Sequence, residues 1–442
     1  MKRIEPKLLK GFRDYLPHQM IARKQIIAAA EKVFEHYGFS PLQTPALEYA
    51  EILLGKYGAD AERLLYRFTD NGGRDVCLRY DLTVPLARVA AQYPNLPSPL
   101  KRYQIAPVWR AEKPARGRFR EFFQCDVDIV GSTSLAADAE CVAVDNDLLD
   151  ALGVTHFQIN INNRKILTGL LESLRQDGAD RQAEHSILRS IDKLPAMGEE
   201  AVRRLLAEEN QLEQASIDHV FAFLGIAGSN DQMLAGAGKL VGASEVGCQG
   251  VEELRQVVAY AVALGVPADR IHVDFSIARG LDYYTGSVFE TFLLDLPGFG
   301  SVMSGGRYDD LISTFLGREM PAVGISMGMD RLFSGMAELG LIEETKTPTR
   351  VLVALLGPEL LPDALATAGQ LRKVGLPTEV YFDNARLKKQ LKYANNQEIE
   401  AVVILGPDEV ATGQATVKLM ETGEQTQIPL SNLAQQLSSL IA

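Results

Sequence analysis

Three arginines sit in strings whose composition suggests anion chemistry. Arg110 lies in Val108-Trp109-Arg110-Ala111-Glu112, Arg279 in Arg279-Gly280-Leu281-Asp282-Tyr283-Tyr284, and Arg331 in Gly328-Met329-Asp330-Arg331-Leu332. A guanidinium fork binds phosphate oxygens bidentately and stays charged at any working pH. Taken singly, each arginine reads as a surface ion-pair former. Taken together, they can hold a triphosphate and stabilise the charge that develops at its α-phosphorus. The commoner nucleotide devices are absent. There is no GxxxxGK[ST] loop and no GxGxxG after a strand, because Gly305-Gly306 runs into Arg307-Tyr308-Asp309. A nucleotide bound by this chain is expected to meet arginines on an antiparallel sheet.

Charge is concentrated in two places. Between Lys101 and Arg120, seven cations accompany one anion, Glu112, in a chain of 442 residues with net charge −12. The overall balance argues against nonspecific nucleic-acid binding, so the local excess points to a polyanion such as a nucleotide or an RNA end. Arg386, Lys388, Lys389 and Lys392 form a second cluster. On a helix, positions 388, 389 and 392 share a face, which is either a solvated lysine face or a phosphate contact. An acidic stripe sits on the segment 122–130. Its alternation sends Gln124, Asp126 and Asp128 to one side, as a ligand pocket, an exposed sheet face or an oxygen-rich metal site. The four cysteines form no CxxC pair and the six histidines no HExxH motif. Idle thiols in a reducing compartment are expected.

The elements that must carry these residues follow from periodicity. A helix is predicted over 19–37, ended by Gly38, and an extended segment over 39–47. Short strands are predicted at 64–69 and 75–79 around an Asn71-Gly72-Gly73 turn, with longer ones at 98–110 and 122–130 joined by the basic loop. A helix over 135–152 follows. Residues 164–257 read as a helical insertion without a chemical motif. Strands return at 271–275 and 286–294, glycine-rich turns at 298–306, and a helix near Met329. After a polar linker at 341–349 the pattern alternates strand and helix, which implies a mainly parallel sheet. No apolar run is long enough to span a bilayer, and the charged start lacks the apolar stretch of a signal peptide, so a cytoplasmic location is expected.

Several strings resemble one family. Trp109-Arg110-Ala111-Glu112 with the basic loop and Arg118 looks like motif 2 of the class II aminoacyl-tRNA synthetases. Gly324 to Leu332 looks like motif 3, and Tyr37 to Pro45 like motif 1. Arg279-Gly280-Leu281-Asp282-Tyr283-Tyr284-Thr285-Gly286 and Ser304-Gly305-Gly306-Arg307-Tyr308-Asp309 resemble the two signatures peculiar to histidyl-tRNA synthetases. Lys10-Gly11-Phe12-Arg13-Asp14 and Leu78-Arg79-Tyr80-Asp81-Leu82-Thr83-Val84-Pro85 fit as well, although Asp81 stands where many members carry Glu. The resemblance covers essentially the whole chain. A noncatalytic relative, the regulatory subunit of ATP phosphoribosyltransferase, shares the catalytic fold but lacks the C-terminal domain and loses synthetase-specific residues, whereas Arg110, Arg279 and Arg331 are all present here.

The resemblance implies an α+β catalytic domain over 1–340, an antiparallel sheet flanked by helices and interrupted by the helical insertion. It also implies an α/β anticodon-binding domain over 350–442. Histidine would be activated with ATP and Mg²⁺ and passed to the 3′ end of its tRNA, by a homodimer. Arg110 and Arg279 would contact the α-phosphate and the histidine carboxylate, and Arg118 and Arg331 the outer phosphates. Phe122 would stack on adenine and Glu112 meet its amino group. Asp81, Thr83 and Gln124 supply acceptors for the ammonium, and Asp128 and Tyr284, beside Tyr283, can hold the ring nitrogens. Arg116, Arg386, Lys388, Lys389 and Lys392 are the candidate tRNA contacts. No metal ligand is assigned to the protein. Alignment and charge stabilisation suffice for such chemistry without a side-chain nucleophile.

Overall fold

The computed structural model describes residues 4–56, 62–174, 181–277, 283–343, 345–383 and 385–441. Arg279 lies outside the described residues. The chain forms two compact units, one of Met1–Arg13 with Ile26–Leu341 and one of Asp14–Gln25 with Ile342–Ala442.

The first unit is built on an eight-stranded sheet. Its strands are β1 (Ser40–Pro41) and, after a side sheet of β2 (Leu47–Tyr49), β3 (Arg67–Thr69) and β4 (Asp75–Leu78), the long pair β5 (Leu100–Trp109) and β6 (Glu121–Val130). Then come β7 (Phe157–Asn163), β8 (Ile271–Val273), β9 (Ser287–Leu293), β10 (Met303–Arg307) and β11 (Ala322–Gly328). The order is β1-β5-β6-β11-β10-β9-β7-β8. Neighbours are antiparallel from β5 to β7, and only the outermost pairs, β1–β5 and β7–β8, are parallel. An antiparallel sheet flanked by helices is the expected architecture.

Cross-strand register sorts this sheet into two faces. One rung reads Tyr103–Val127–Ile325–Gly305–Phe289–Ile161, and its apolar face packs under the helices Leu135–Ala151 and Glu245–Ala263. The next rung, on the opposite face, reads Gln104–Asp126–Ser326–Ser304–Glu290–Asn160. Beside it runs Arg102–Asp128–Gly324–Gly306–Val288–Asn162. Gln104, Asp126 and Glu290 of the first of these rows are buried, and burying polar groups costs free energy unless they find partners.

The glycine-rich stretch 298–306 divides differently from expectation. Gly298 and Gly300 turn with φ of +78° and +89°, but Met303–Arg307 is a central strand. Its glycines are there for room. A Cβ on Gly305 would lie 2.1 Å from the Gly324 carbonyl oxygen, and one on Gly306 would lie 2.5 Å from the Ser287 carbonyl oxygen. Arg307 holds β10 to the helix Leu135–Ala151, donating from Nε to Asp138 at 3.1 Å. The helical run also differs in organisation. Its end helices, Arg164–Leu174 and Glu245–Ala263, cross so closely that a Cβ on Gly169 would lie 2.3 Å from the Gly247 Cα. Both pack against β7, so these two helices join the sheet's own layer.

The second unit has a five-stranded sheet of β12 (Val351–Leu355), β13 (Thr378–Val380), β14 (Ala401–Leu405), β15 (Gln414–Leu419) and β16 (Gln425–Pro429), ordered β13-β12-β14-β15-β16. Strands β13, β12 and β14 are parallel, but β15 and β16 form an antiparallel hairpin. The sheet is therefore mixed. The hairpin escaped sequence reading because its strands carry too few apolar residues to show a buried run. Helix Leu387–Asn396 is pinned by buried Gln390, which bonds both N–H and C=O of Leu355. This turns Lys388, Lys389 and Lys392 outward. Arg386 is not part of the helix but its N-cap.

Two adjoining cavities on the polar face

The polar rungs floor two cavities that share a wall. One, of about 760 Å³, is lined by Arg110, Glu112, Arg118, Phe122, Asp330 and Arg331, among others. The second, of about 890 Å³, is lined by Asp81, Thr83, Tyr283, Tyr284 and Glu290. Arg110, Gln124, Ser304 and Ser326 line both.

Arg110 sits one residue past β5, where the hairpin leaves the sheet. Its Nε donates to the Tyr80 carbonyl at 3.0 Å, and its guanidinium lies 4.3 Å from the Tyr80 ring centroid and 5.1 Å from that of Phe122. Among the described residues this Nε contact is its one side-chain hydrogen bond, and Arg110 lines both cavities. Arg118 lies 3.6 Å from Glu112, and Arg331 donates to the Ser301 carbonyl at 2.8 Å. Asp330 caps this end of the sheet by accepting from the Phe123 N–H at 2.7 Å; burial pushes its carboxyl up, and Arg13 at 3.3 Å pulls it back. Arg13 also covers the Phe119 ring at 3.9 Å, and the Gly11 carbonyl accepts from Arg120 N–H at 2.8 Å. Lys10, Gly11 and Arg13 thus brace the basic loop.

That loop does not present its seven cations as one surface. Arg102 is buried in the sheet, Lys101 pairs with Glu140, Arg116 with Glu338, and Arg120 donates to the Glu112 and Lys10 carbonyls. Arg110 and Arg118 are the ones that reach the cleft.

The second cavity is rich in acceptors. Asp81 is oriented by the start of helix Thr83–Gln92, accepting from Val84 N–H at 3.0 Å. Gln124 donates to the Ser326 hydroxyl at 2.6 Å, and among the described residues its buried Oε1 accepts no hydrogen bond. Tyr283, Tyr284 and Tyr308 form a chain of edge-on rings with centroids 5.1 and 5.7 Å apart. Burial, reinforced by Asp128 and Asp81, pushes the Tyr284 phenol far up, so it remains a neutral donor. A recess behind the cavity contains Thr83, Asp126, Asp128, Tyr284 and Tyr308. There Asp128 pairs with Arg102 at 2.7 Å and accepts from the Tyr308 hydroxyl. Gly324 leaves the space for this arrangement; a Cβ there would lie 2.1 Å from Asp128 Oδ1.

Asp81, Thr83, Arg110, Gln124, Tyr283 and Tyr284 thus line one cavity, with Asp128 in its recess, and Arg110, Glu112, Arg118, Phe122 and Arg331 line the other. Sequence reasoning missed Arg102, Ser304, Tyr308, Ser326 and Glu290. Alternation within 287–293 would have put Val288 and Glu290 on one face, but nothing local says that face is this one. Among the described residues, no group of His, Cys, Asp and Glu is placed to hold a metal ion. The cysteines Cys77, Cys125, Cys141 and Cys248 are free. No helix among the described residues is long and apolar enough to cross a membrane.

Comparison with known proteins agrees with this geometry. Residues 11–332 match the family model described as histidyl-tRNA synthetase, and residues 350–440 the model described as an anticodon binding domain. The histidine–tRNA ligase of Rhodopirellula baltica is 46% identical over 97% of this chain and 96% of its own. The crystal structure of histidyl-tRNA synthetase from a Nostoc species superposes with a TM-score of 0.86 at 35% identity, covering 99% of this chain and 100% of that one. A Bacillus halodurans protein described as an ATP phosphoribosyltransferase regulatory subunit/histidyl-tRNA synthetase has a TM-score of 0.76 at 23% identity, covering 91% and 99%. That likeness is one of fold.

Proposed function

The chain belongs to the histidyl-tRNA synthetase family, and from that premise we propose how its two cavities divide the reaction. The activity is that of a histidine–tRNA ligase. The histidine carboxylate attacks the α-phosphorus of ATP, giving histidyl-adenylate and pyrophosphate. The terminal ribose hydroxyl of the tRNA then attacks the adenylate carbonyl and releases AMP. In our assignment the acceptor-lined cavity holds histidine, with Asp81, Thr83 and Gln124 on the ammonium and Asp128 and Tyr284 at the ring. The arginine cleft holds ATP, with Phe122 against adenine, Glu112 at its amino group and Arg118 and Arg331 on the outer phosphates. Arg110, together with Arg279, bridges the α-phosphate and the attacking carboxylate. The observation that carries this assignment is that Arg110 lines both cavities, at the point where the two substrates must meet. Mg²⁺ enters with the triphosphate. The test is ATP–pyrophosphate exchange by the purified protein, which must depend on histidine and on no other amino acid. A noncatalytic regulatory role has no comparable support, since such a protein needs no arginine cleft opening onto an amino-acid cavity.

The remaining assignments have independent tests. Residues 1–340 form the catalytic domain, with the helical insertion at about 164–257. Residues 341–349 are the linker and 350–442 the anticodon-binding domain, a division supported by two family models that end at 332 and begin at 350. Arg386, Lys388, Lys389 and Lys392, with Arg116 on the basic loop, meet tRNA phosphates. Lys388→Ala with Lys389→Ala is expected to lower tRNA affinity and to reduce the slope of log affinity against log salt by about 1–2. Pyrophosphate exchange is expected to be unaffected. A filter-binding series from low to moderate salt measures this, and an unchanged slope removes the helix from the RNA interface.

The protein works as a homodimer. Support comes from the motif 1-like segment Tyr37 to Pro45 and from exposed apolar side chains near it, Leu47 at 43%, Tyr49 at 51% and Tyr93 at 53%. Contiguous exposed apolar residues mark interaction surfaces. Light scattering is expected to report twice the 48.4 kDa chain mass, and a particle of 48.4 kDa contradicts the dimer. A cytoplasmic location fits free cysteines and the supply of ATP and tRNA, and cell fractionation tests it.

A further inference from the structure

Asp126 has no part in the assignment above, yet it occupies the middle of the polar rung, between Gln104 and Ser326. It is 1% exposed. Among the described residues neither carboxyl oxygen accepts a well-formed hydrogen bond, although the Ser326 hydroxyl beside it helps to offset its charge. Its small recess shares Thr83, Tyr284, Ser304 and Ser326 with the amino-acid cavity and so adjoins that cavity. A buried polar group left short of well-formed partners beside a binding site can be completed by the ligand.

The two carboxyls of the recess are not equivalent. Burial pushes the Asp128 carboxyl up, but the Arg102 guanidinium on one oxygen and the Tyr308 hydroxyl on the other both favour its ionised form. Asp126 feels Arg102 only through space and has Asp128 as a like-charged neighbour on the same strand face. Arg79 and Asp81 also act on it through space, and Tyr284 stands opposite across the recess. Two carboxylates this close share protons unequally, and the one without bonded cations takes the proton first.

A neutral imidazole needs one acceptor for its N–H and one donor for its bare nitrogen. We propose that Asp126 is a specificity residue of the histidine pocket: in its protonated form it, in place of Tyr284, donates to the bare ring nitrogen, while ionised Asp128 accepts from the ring N–H and Tyr284 lines the pocket beside it. The inference rests on the assignment of this cavity to histidine. Burial raises Asp126 to about 7 despite Arg102, so the donor is available through the acid side of neutrality. The sign follows. Below about 7 the carboxyl carries its proton and the contact forms. As pH rises through that value the donor is lost and histidine affinity falls. Complex formation above that point must then take up one proton. A site that hydrogen-bonds both nitrogens rejects side chains that match it only in shape.

The experiment is histidine-dependent pyrophosphate exchange between pH 6 and 8.5. The unmodified enzyme is expected to show histidine kcat/KM falling on the alkaline side of about 7, with the KM for ATP unchanged. Asp126→Asn supplies an amide N–H at every pH and is expected to lose that alkaline limb while keeping activity near pH 6.5. Asp126→Ala is expected to raise the histidine KM roughly ten-fold or more at pH 6.5. A limb that persists in Asp126→Asn, or an unchanged KM in Asp126→Ala, overturns the inference while leaving the histidine assignment standing. Absence of exchange in the unmodified enzyme instead removes the assignment beneath it. A measurement on the unmodified protein does not depend on either variant folding. Calorimetry in buffers of different ionisation heat is expected to show about one proton taken up on histidine binding at pH 8, and no uptake overturns the proposal.

Discussion

Arg110→Ala is expected to reduce histidine-dependent pyrophosphate exchange by at least about 10²–10³-fold, the loss typical of removing one preorganised donor from a developing oxyanion. The effect should fall on kcat. The guanidinium meets charge that grows in the transition state, whereas histidine retains its acceptors at Asp81, Thr83 and Gln124. The fold should survive, since the side chain contributes one hydrogen bond, to the Tyr80 carbonyl, and stacks at the rim against Tyr80 and Phe122. Circular dichroism and a melting curve within a few degrees of the parent give the control. A variant that exchanges at the parent rate would show that the shared wall of the cavities is not where chemistry occurs.

Asp128→Ala is expected to lose both histidine affinity and stability. From the sequence, Asp128 is a ring-nitrogen partner only, and its removal should weaken histidine far more than ATP. The structure adds a second consequence. Arg102, with 1% of its side chain exposed, has Asp128 as its ion-pair partner at 2.7 Å. Removing one partner leaves a buried charge uncompensated, which costs about 3–5 kcal/mol. Denaturant unfolding should therefore show a clear drop in midpoint with little change in slope. Arg102→Met with Asp128→Leu separates the two effects. Replacing both charges with apolar groups is expected to recover much of the stability but none of the histidine activation. Equal losses for histidine and ATP in the single variant would place Asp128 outside the amino-acid pocket.

The fold was legible where the chain signals locally. Helix ends at Gly38 and Gly153 and the turn at 71–73 follow from residue type, and the turn is held as such chemistry predicts, with Asp70 accepting from Gly72 and Arg74 N–H groups, each at 2.9 Å. The buried strands 351–355 and 401–405 announce themselves as apolar runs. The misreadings have one cause. Strand β10 is Met-Ser-Gly-Gly-Arg, with no apolar pattern, and in the hairpin only β15 alternates, Ala415 and Val417 inward, without the continuous apolar run that marks β12 and β14. Both are strands because their neighbours pair with them.

The basic run 101–120 shows the same limit at the site. Its composition marked it as anion-binding, and Arg110 and Arg118 do line the cleft. Sequence could not tell that Arg102, in the same run, points into the sheet, because the strand's alternation decides orientation only once the register is set.

What the sequence by itself determined is the family and the chemistry available to it. Short strings of adjacent residues carry that information, and adjacency survives any fold. What only the tertiary structure decided is which groups face one another. Arg102, Asp128 and Tyr308 meet across separations of up to 206 positions, and Asp126, Ser326 and Ser304 share a rung through three strands drawn from both ends of the catalytic unit. The physical reason is that the strength of a buried charge depends on its immediate partners and on the exclusion of water, and both are set by cross-strand register rather than by position in the chain.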